Sequence, residues 1–291
     1  MSVLLGAPVW YGNRPFEQTV KKLHELSLDY LEFSLDYPLP GSMKEADKEE
    51  LKGLLADYGM RIAFHSPLDI AVMHPREEIA DASMRILRQC MEFAVEFSPL
   101  YYNLHLHPRL STYKLQEVRA EVKRKSIRRC LEIANMGSEL GVQVCVENDL
   151  VPFEWSELIL EAVSSPGIYL TFDIGHAIMA ELQHSPPEVE SEVEAGGHNH
   201  NYIDYLRRWI RACGGAKILV VHLHDCSIGD KQDHLSIGRG ELDFNQIFKL
   251  LRATSLKYMV IETFWRDKAR REMSYEELKR NIEFCRRYWY P

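Results

Sequence analysis

Eight times along the chain a short run rich in valine, isoleucine, leucine and aromatics gives way to a longer segment whose apolar residues recur at helical spacing. That alternation restricts the architecture more than any other property of the sequence. The strand-like runs are 3–9, 30–34, 61–65, 101–107, 142–147, 168–173, 218–224 and 258–262. The helical segments between and after them are 15–28, 44–58, 75–97, 114–140, 154–163, 202–213, 244–253 and 274–287. Eight strand-helix pairs in strict order predict an α/β fold, a single (β/α)8 TIM barrel over residues 1–291, because parallel strands joined by helices close on themselves at that number. Several helix ends are readable. Pro15 and Pro75 suit a first helical turn, Gly59 and Gly141 suit the left-handed residue just past a helix, and Ser274 with Glu277 forms a capping box. One stretch breaks the rhythm. Residues 180–201, with Pro186-Pro187, Gly196-Gly197 and His198-Asn199-His200, are too long for an ordinary connection and predict a lid or insertion over one face.

The formal charge of -8 gives no bulk attraction to phosphate backbones, so a nucleic-acid partner would need a local basic patch and a small molecule is the simpler substrate. The basic clusters Lys123-Arg124-Lys125 with Arg128-Arg129 and the one at 266–271 read as a solvated helix face and a turn. Six cysteines stand without a Cys-x-x-Cys pair, in a chain large enough to fold without disulfides. They read as reduced thiols of a cytoplasmic protein. No signal peptide or membrane span is visible, and the oligomeric state is not legible.

Active sites of such barrels form at the C-terminal ends of the strands, which makes the residues ending each run informative. The third run ends in His65, the fourth in His105 and His107, the fifth in Glu147, the sixth in Asp173 with His176 beyond it, the seventh in His222 and His224, and the eighth in Glu262. All are ligand types for a divalent cation. Buried at an apolar mouth, the carboxylates would repel one another at a cost of several kcal/mol each unless paired or metal-bound. Alternate residues of a strand share a face, so His105 and His107 point to one side, as do His222 and His224, separated by about 6.6 Å along the strand. One of each pair is then a ligand and the other an orienting or substrate contact. Gly175 permits a sharp turn that brings His176 to the same cavity. Asn148 and Asp225 are candidate orienters, Arg239 in the glycine-bearing loop before residue 244 is a candidate oxyanion donor, and Glu32 inside the second run is placed to bond a substrate or a histidine. Trp10, Tyr11 and Tyr37 follow the first two runs, where they either pack or stack on a substrate.

In order along the chain, Phe64-His65-Ser66-Pro67, Asn103-Leu104-His105-Leu106-His107-Pro108, Val146-Glu147-Asn148, Phe172-Asp173-Ile174-Gly175-His176, Val221-His222-Leu223-His224-Asp225, the stretch from Asp233-His234 to Gly240, and Ile261-Glu262 resemble the xylose isomerase-like barrel superfamily. That group includes sugar-phosphate isomerases and epimerases and the endonuclease IV type of apurinic/apyrimidinic endonuclease. In its tagatose 3-epimerase-like branch, the resemblance implies one metal held by Glu147, Asp173, His222 and Glu262. It further implies that the two glutamates move protons on opposite faces of a metal-held enediolate, with His176 and an arginine, for which Arg239 is the candidate, on the oxygens of a small carbohydrate. Glu32, His65 and His107 complete the expected substrate contacts. In the endonuclease branch it implies three zinc ions, held by His65, His105 and Glu147, by Glu147, Asp173, His222 and Glu262, and by His176, an aspartate and His234. This sequence departs there: Gln232 stands where that aspartate is expected, which weakens the third zinc site and phosphodiester cleavage with it. Three carboxylates and one imidazole suit manganese or magnesium, whereas additional histidines favour zinc, so the expected content runs from one ion to three.

Overall fold

All eight apolar runs form parallel strands, and the sheet they make closes on itself. The computed structural model describes residues 2–107, 114–184 and 202–289. Its strands are β1 (Leu4–Trp10), β2 (Tyr30–Ser34), β3 (Arg61–His65), β4 (Tyr102–Leu104), β5 (Val144–Glu147), β6 (Ile168–Asp173), β7 (Ile218–Leu223), β8 (Asp225–Ser227), β9 (Gln232–Leu235) and β10 (Tyr258–Ile261). The barrel runs β1-β10-β7-β6-β5-β4-β3-β2, while β8 and β9 form a separate antiparallel pair beyond the end of β7. The described helices are α1 (Phe16–Glu25), α2 (Glu45–Asp57), α3 (Glu77–Val95), α4 (Gln116–Leu140), α5 (Glu157–Ser164), α6 (Ile174–His184), α7 (Tyr202–Cys213), α8 (Phe244–Leu251) and α9 (Tyr275–Trp289).

Each strand alternates between two surroundings. Phe33, Phe64, Tyr102, Leu104, Val146, Phe172, Leu223 and Ile261 face outward into the large core shared with the helices. Residues of the opposite parity fill the barrel, where Tyr30, Ala63, Tyr101, Cys145, Val220 and Val260 make a buried apolar floor. Two residues further along the same inward face, the apolar types stop. Glu32, His65, Asn103, Glu147, Asp173, His222 and Glu262 stand there instead, as a polar layer resting on a hydrophobic plug.

Helix α1 buries Phe16, Val20 and Leu23, the spacing of one helical stripe. Gly141 (φ 69°) closes α4 and Gly59 (φ 62°) follows α2, each in the left-handed conformation its position requires. Pro15 sits one residue ahead of α1 rather than in its first turn. Ser274 caps α9 by accepting the Glu277 N–H at 3.2 Å, but the capping box is half-formed, since Glu277's carboxylate accepts from Ser236 Oγ and Arg239 and also pairs with Arg280.

Two elements differ from expectation. A helix, α6, starts directly after β6 and includes 180–184, so the expected excursion begins later, and 185–201 lie outside the described residues. Ile174, Ala177, Ile178, Met179, Ala180 and Leu182 are buried all round this helix, which leaves it no polar stripe by which periodicity reveals a helix. Residues 225–227 and 232–235, which lie outside the eight apolar runs, form the β8-β9 hairpin. It is held by Asp225, whose carboxylate accepts the N–H groups of Cys226, Gly238, Gly240 and Leu242. All six cysteines are free, and no helix among the described residues is long and apolar enough to cross a membrane.

Candidate metal centre

Register brings the polar layer to a point. Asp173 on β6 lies opposite His222 on β7, which lies opposite Val260, two residues before Glu262. One ligand atom from each of Glu147, Asp173, His222 and Glu262 lies within 4.8 Å of the others. His222 Nδ1 is 2.8 Å from Glu262 Oε2 and 3.4 Å from Glu147 Oε2. Two further groupings share members with this one: His65, His105 and Glu147 on one side, and Asp173, His176 and His234 on the other. A fourth, His105, His107 and Asp149, lies at the rim.

Neighbouring side chains hold these groups in place. Asn103 Nδ2 donates to Glu147 Oε2 at 2.8 Å. The main chain of Asp173 is gripped by Asn148, which accepts its N–H at 2.6 Å and donates to its carbonyl at 2.9 Å. The first turn of α6 adds the His176 N–H, which donates to Asp173 Oδ1 at 2.6 Å. Asp149 spans two histidines, with Oδ1 2.5 Å from His105 Nδ1 and Oδ2 accepting the His107 N–H at 2.7 Å. Holding His105 by Nδ1 turns its Nε2 toward Glu147, 3.6 Å away. Below, Glu32 accepts from the Tyr101 hydroxyl at 2.6 Å and lies 3.4 Å from His222 Nε2.

The charges answer one another. Burial alone would raise the Glu147 carboxyl, but His105, His222, His176 and His65 around it hold it well below the usual carboxylate range. Glu262 and Asp173 are lowered against the same burial, chiefly by His222 in one case and by His176 and His224 in the other. Conversely, burial disfavours the imidazolium forms, yet the carboxylates push His65 up to about 9, His176 up to about 10 and His222 well above its ordinary value. Hydrogen bonding leaves a remainder. His222 Nδ1 and Nε2, His176 Nδ1 and Glu262 Oε2 are fully buried and, although ion-paired at 2.8 Å between His222 Nδ1 and Glu262 Oε2, make no well-aligned hydrogen bond among the described residues. Unsatisfied donors and acceptors are rare in a protein interior. Those of His222 and Glu262 belong to the four-residue cluster and His176 adjoins it, while others, such as Tyr102 Oη and Trp209 Nε1, lie elsewhere; three carboxylates with one imidazole fit a divalent cation.

A family model described as the xylose isomerase-like TIM barrel matches residues 20–288. The chain belongs to that family. Among solved structures, this xylose isomerase-like barrel is similar to a D-tagatose 3-epimerase-like protein (19% identity, TM-score 0.67, 98% of this chain and 96% of that one). It is similar in fold to D-psicose 3-epimerase from Clostridium cellulolyticum H10 (14% identity, TM-score 0.68, 98% and 99% covered). A probable endonuclease 4 of Symbiobacterium thermophilum is 25% identical over 277 residues, 88% of this chain and 92% of that protein.

A cavity of about 350 Å³ opens above the cluster of this xylose isomerase-like barrel. Its walls include Glu32, His65, His105, His107, Glu147, His176, His234 and Glu262, so most of the residues singled out from the sequence share one space. Arg239 is not among its lining residues, because its Nε donates to Glu277 of α9 at 3.2 Å. Gly175 does not make a turn: it lies inside α6, and its role is space, since a Cβ there would collide with His224 Cε1. Trp10 lines the cavity with Phe264 packed edge-on at 5.6 Å, whereas Tyr11 packs on Phe16 and Tyr37 points to solvent. Asn103, Asp149 and Phe264 escaped the sequence reading, and all three had one signal. Each lies two residues from a recognised site residue, Asn103 inside β4 and the other two just beyond β5 and β10.

Proposed function

We propose that the chain is a divalent-metal-dependent epimerase or isomerase of a small carbohydrate, working from the cavity above Glu147, Asp173, His222 and Glu262. The observation that carries this reading is the convergence of those four side chains within 4.8 Å, with buried polar atoms left unsatisfied among them. The likeness in fold to the two epimerases supports the choice of reaction.

These four residues would hold the ion, Mn2+ or Zn2+ by the chemistry of the set. When bound, it supplies a fixed positive charge that stabilises negative charge developing on a sugar's oxygens. The protein supplies the rest. Glu147 and Glu262 come from β5 and the end of β10, which β6 and β7 separate in the barrel, so their carboxylates reach a substrate from different sides. One takes the proton from the carbon beside the carbonyl and the other delivers a proton to the opposite face, which inverts that carbon. Both are ionised at neutral pH, the state the base requires, so the glutamate that delivers a proton first takes one up from solvent. His176 and His107 face the cavity as partners for sugar hydroxyls, while Trp10, Leu68, Leu150 and Phe264 give it an apolar wall for a C–H face and for excluding water. The test is nuclear magnetic resonance of a panel of aldoses, ketoses and their phosphates with Mn2+-loaded protein in D2O. Deuterium entering one carbon beside a carbonyl supports the proposal, and a panel left unchanged rejects it.

A second reading, a metal-dependent apurinic-site endonuclease, is favoured by the two flanking groupings and by the Symbiobacterium relative. Against it stands Gln232, a neutral amide in the position where the resemblance calls for an aspartate. Cleavage of an oligonucleotide carrying one abasic site by zinc-loaded protein decides for this reading, and an intact strand decides against it.

A further inference from the structure

Among the buried histidines of the site, His224 has both ring nitrogens committed. Its Nε2 lies 3.0 and 3.1 Å from the two carboxylate oxygens of Asp173. Its Nδ1 accepts the main-chain N–H of His234 at 2.8 Å. A nitrogen that accepts an N–H carries no proton, so the ring's proton sits on Nε2 and is donated to Asp173. Cys226 Sγ, 3.8 Å from the same Nδ1, adds only a weak donor. Neither ring nitrogen of His224 is free for a metal ion. Of the two histidines at the end of β7, His222 is placed as a ligand and His224 is not.

The ring is held as closely as its proton. His234 stacks on it at 4.1 Å and 9°, and Phe264 stacks on His234 at 4.5 Å and 4°. On α6, Gly175 leaves the space the ring fills, which any larger residue would invade. His234 itself has φ 54°, an uncommon conformation for a residue with a side chain, and it is from there that its N–H reaches His224.

We infer that His224 is the positioning residue for Asp173, fixing the aspartate's orientation toward the ion, with Gly175 and the main chain of His234 locking the ring and its proton. This rests on the metal reading of Proposed function and adds to it a determinant outside the ligand set. Removing partners of this kind lowers metal affinity by about 10–100-fold.

The experiment measures Mn2+ affinity by calorimetry and the visible spectrum of the Co2+-loaded protein for wild type, His224→Phe, His224→Gln and Gly175→Ala. Phenylalanine keeps a flat ring without the donor, glutamine restores an N–H near the position of Nε2, and alanine at 175 displaces the ring while leaving every hydrogen-bonding group present. His224→Phe and Gly175→Ala are expected to bind Mn2+ about 10–100-fold more weakly and to alter the Co2+ spectrum. His224→Gln is expected to recover most of the affinity. Wild-type affinity in His224→Phe, or in Gly175→Ala should the phenylalanine variant fail to fold, overturns the inference, as does a glutamine variant no better than phenylalanine. A wild-type protein that takes up no Mn2+ instead removes the metal reading and this inference with it.

Discussion

On the metal reading proposed above, loading a metal-stripped preparation with Mn2+ is expected to expel protons from the site imidazoles. His222 sits among Glu262, Glu147 and Glu32, which raise it well above its ordinary value against the effect of burial, and His65 is raised to about 9 by Glu147 and Glu32 despite its burial. A ligand imidazole must be neutral, so an ion entering the central cluster displaces one proton from His222, and an ion that also engages His65 displaces a second. Removing a proton at pH 7.5 from a group that titrates at about 9 costs about 2 kcal/mol. Affinity for an ion bound by His65 therefore rises roughly 15-fold between pH 7.5 and 9, and for one bound by His222 about tenfold per pH unit. Calorimetric titration at several pH values, in buffers of different ionisation enthalpy, counts the protons directly. A binding heat that does not depend on the buffer, with affinity flat across this range, would refute the idea that the imidazoles carry charge to balance the carboxylates.

Stability of the metal-stripped protein should follow the same groups. Raised imidazoles such as His176 contribute stability that is complete below their ordinary 6.5 and is lost as pH rises through about 10, whereas the lowered Asp173 contributes above 3.8 and is lost in acid, so denaturant midpoints should peak near pH 5–6.5 and fall on the alkaline side. The opposite slope between pH 7 and 10 would contradict it. Tyr101→Phe should cost about 1.5–3 kcal/mol in urea unfolding, because it removes the 2.6 Å donor from a carboxylate that is 1% exposed, and a loss under 0.5 kcal/mol would mean that Glu32 is satisfied in another way. Arg239→Ala should change KM for any substrate found by less than about twofold, since its guanidinium is turned to Glu277, and a tenfold rise would return it to the site.

How much of this was legible depends on the kind of signal. The barrel was, since a strand buried on both faces reads as an apolar run and the connecting helices carry amphipathic stripes, as in Phe16, Val20 and Leu23. Glu147, Asp173, His222 and Glu262 were legible because charge at the end of such a run is conspicuous. Helix α6 was hidden by being apolar on all sides, and the β8-β9 hairpin by resting on one buried carboxylate, Asp225, rather than on any alternation. Asn148 adjoins Glu147, yet it bonds the main chain of Asp173, while Asp149, one residue further, holds His105. Asn103, Asp149 and Phe264 stand two residues from His105, Glu147 and Glu262, and their residue types alone do not mark them as part of the site. Gly175 was read through backbone freedom, when what matters is the missing side chain beside His224.

The central claim is that four side chains from β5, β6, β7 and the end of β10 hold one catalytic cation. Elemental analysis of protein purified without chelators, beside an Asp173→Asn variant handled identically, measures it. One Mn2+ or Zn2+ per wild-type chain, lost in the variant while its fold persists, is the predicted result. No bound ion in wild type, or equal metal content in the two proteins, would contradict it.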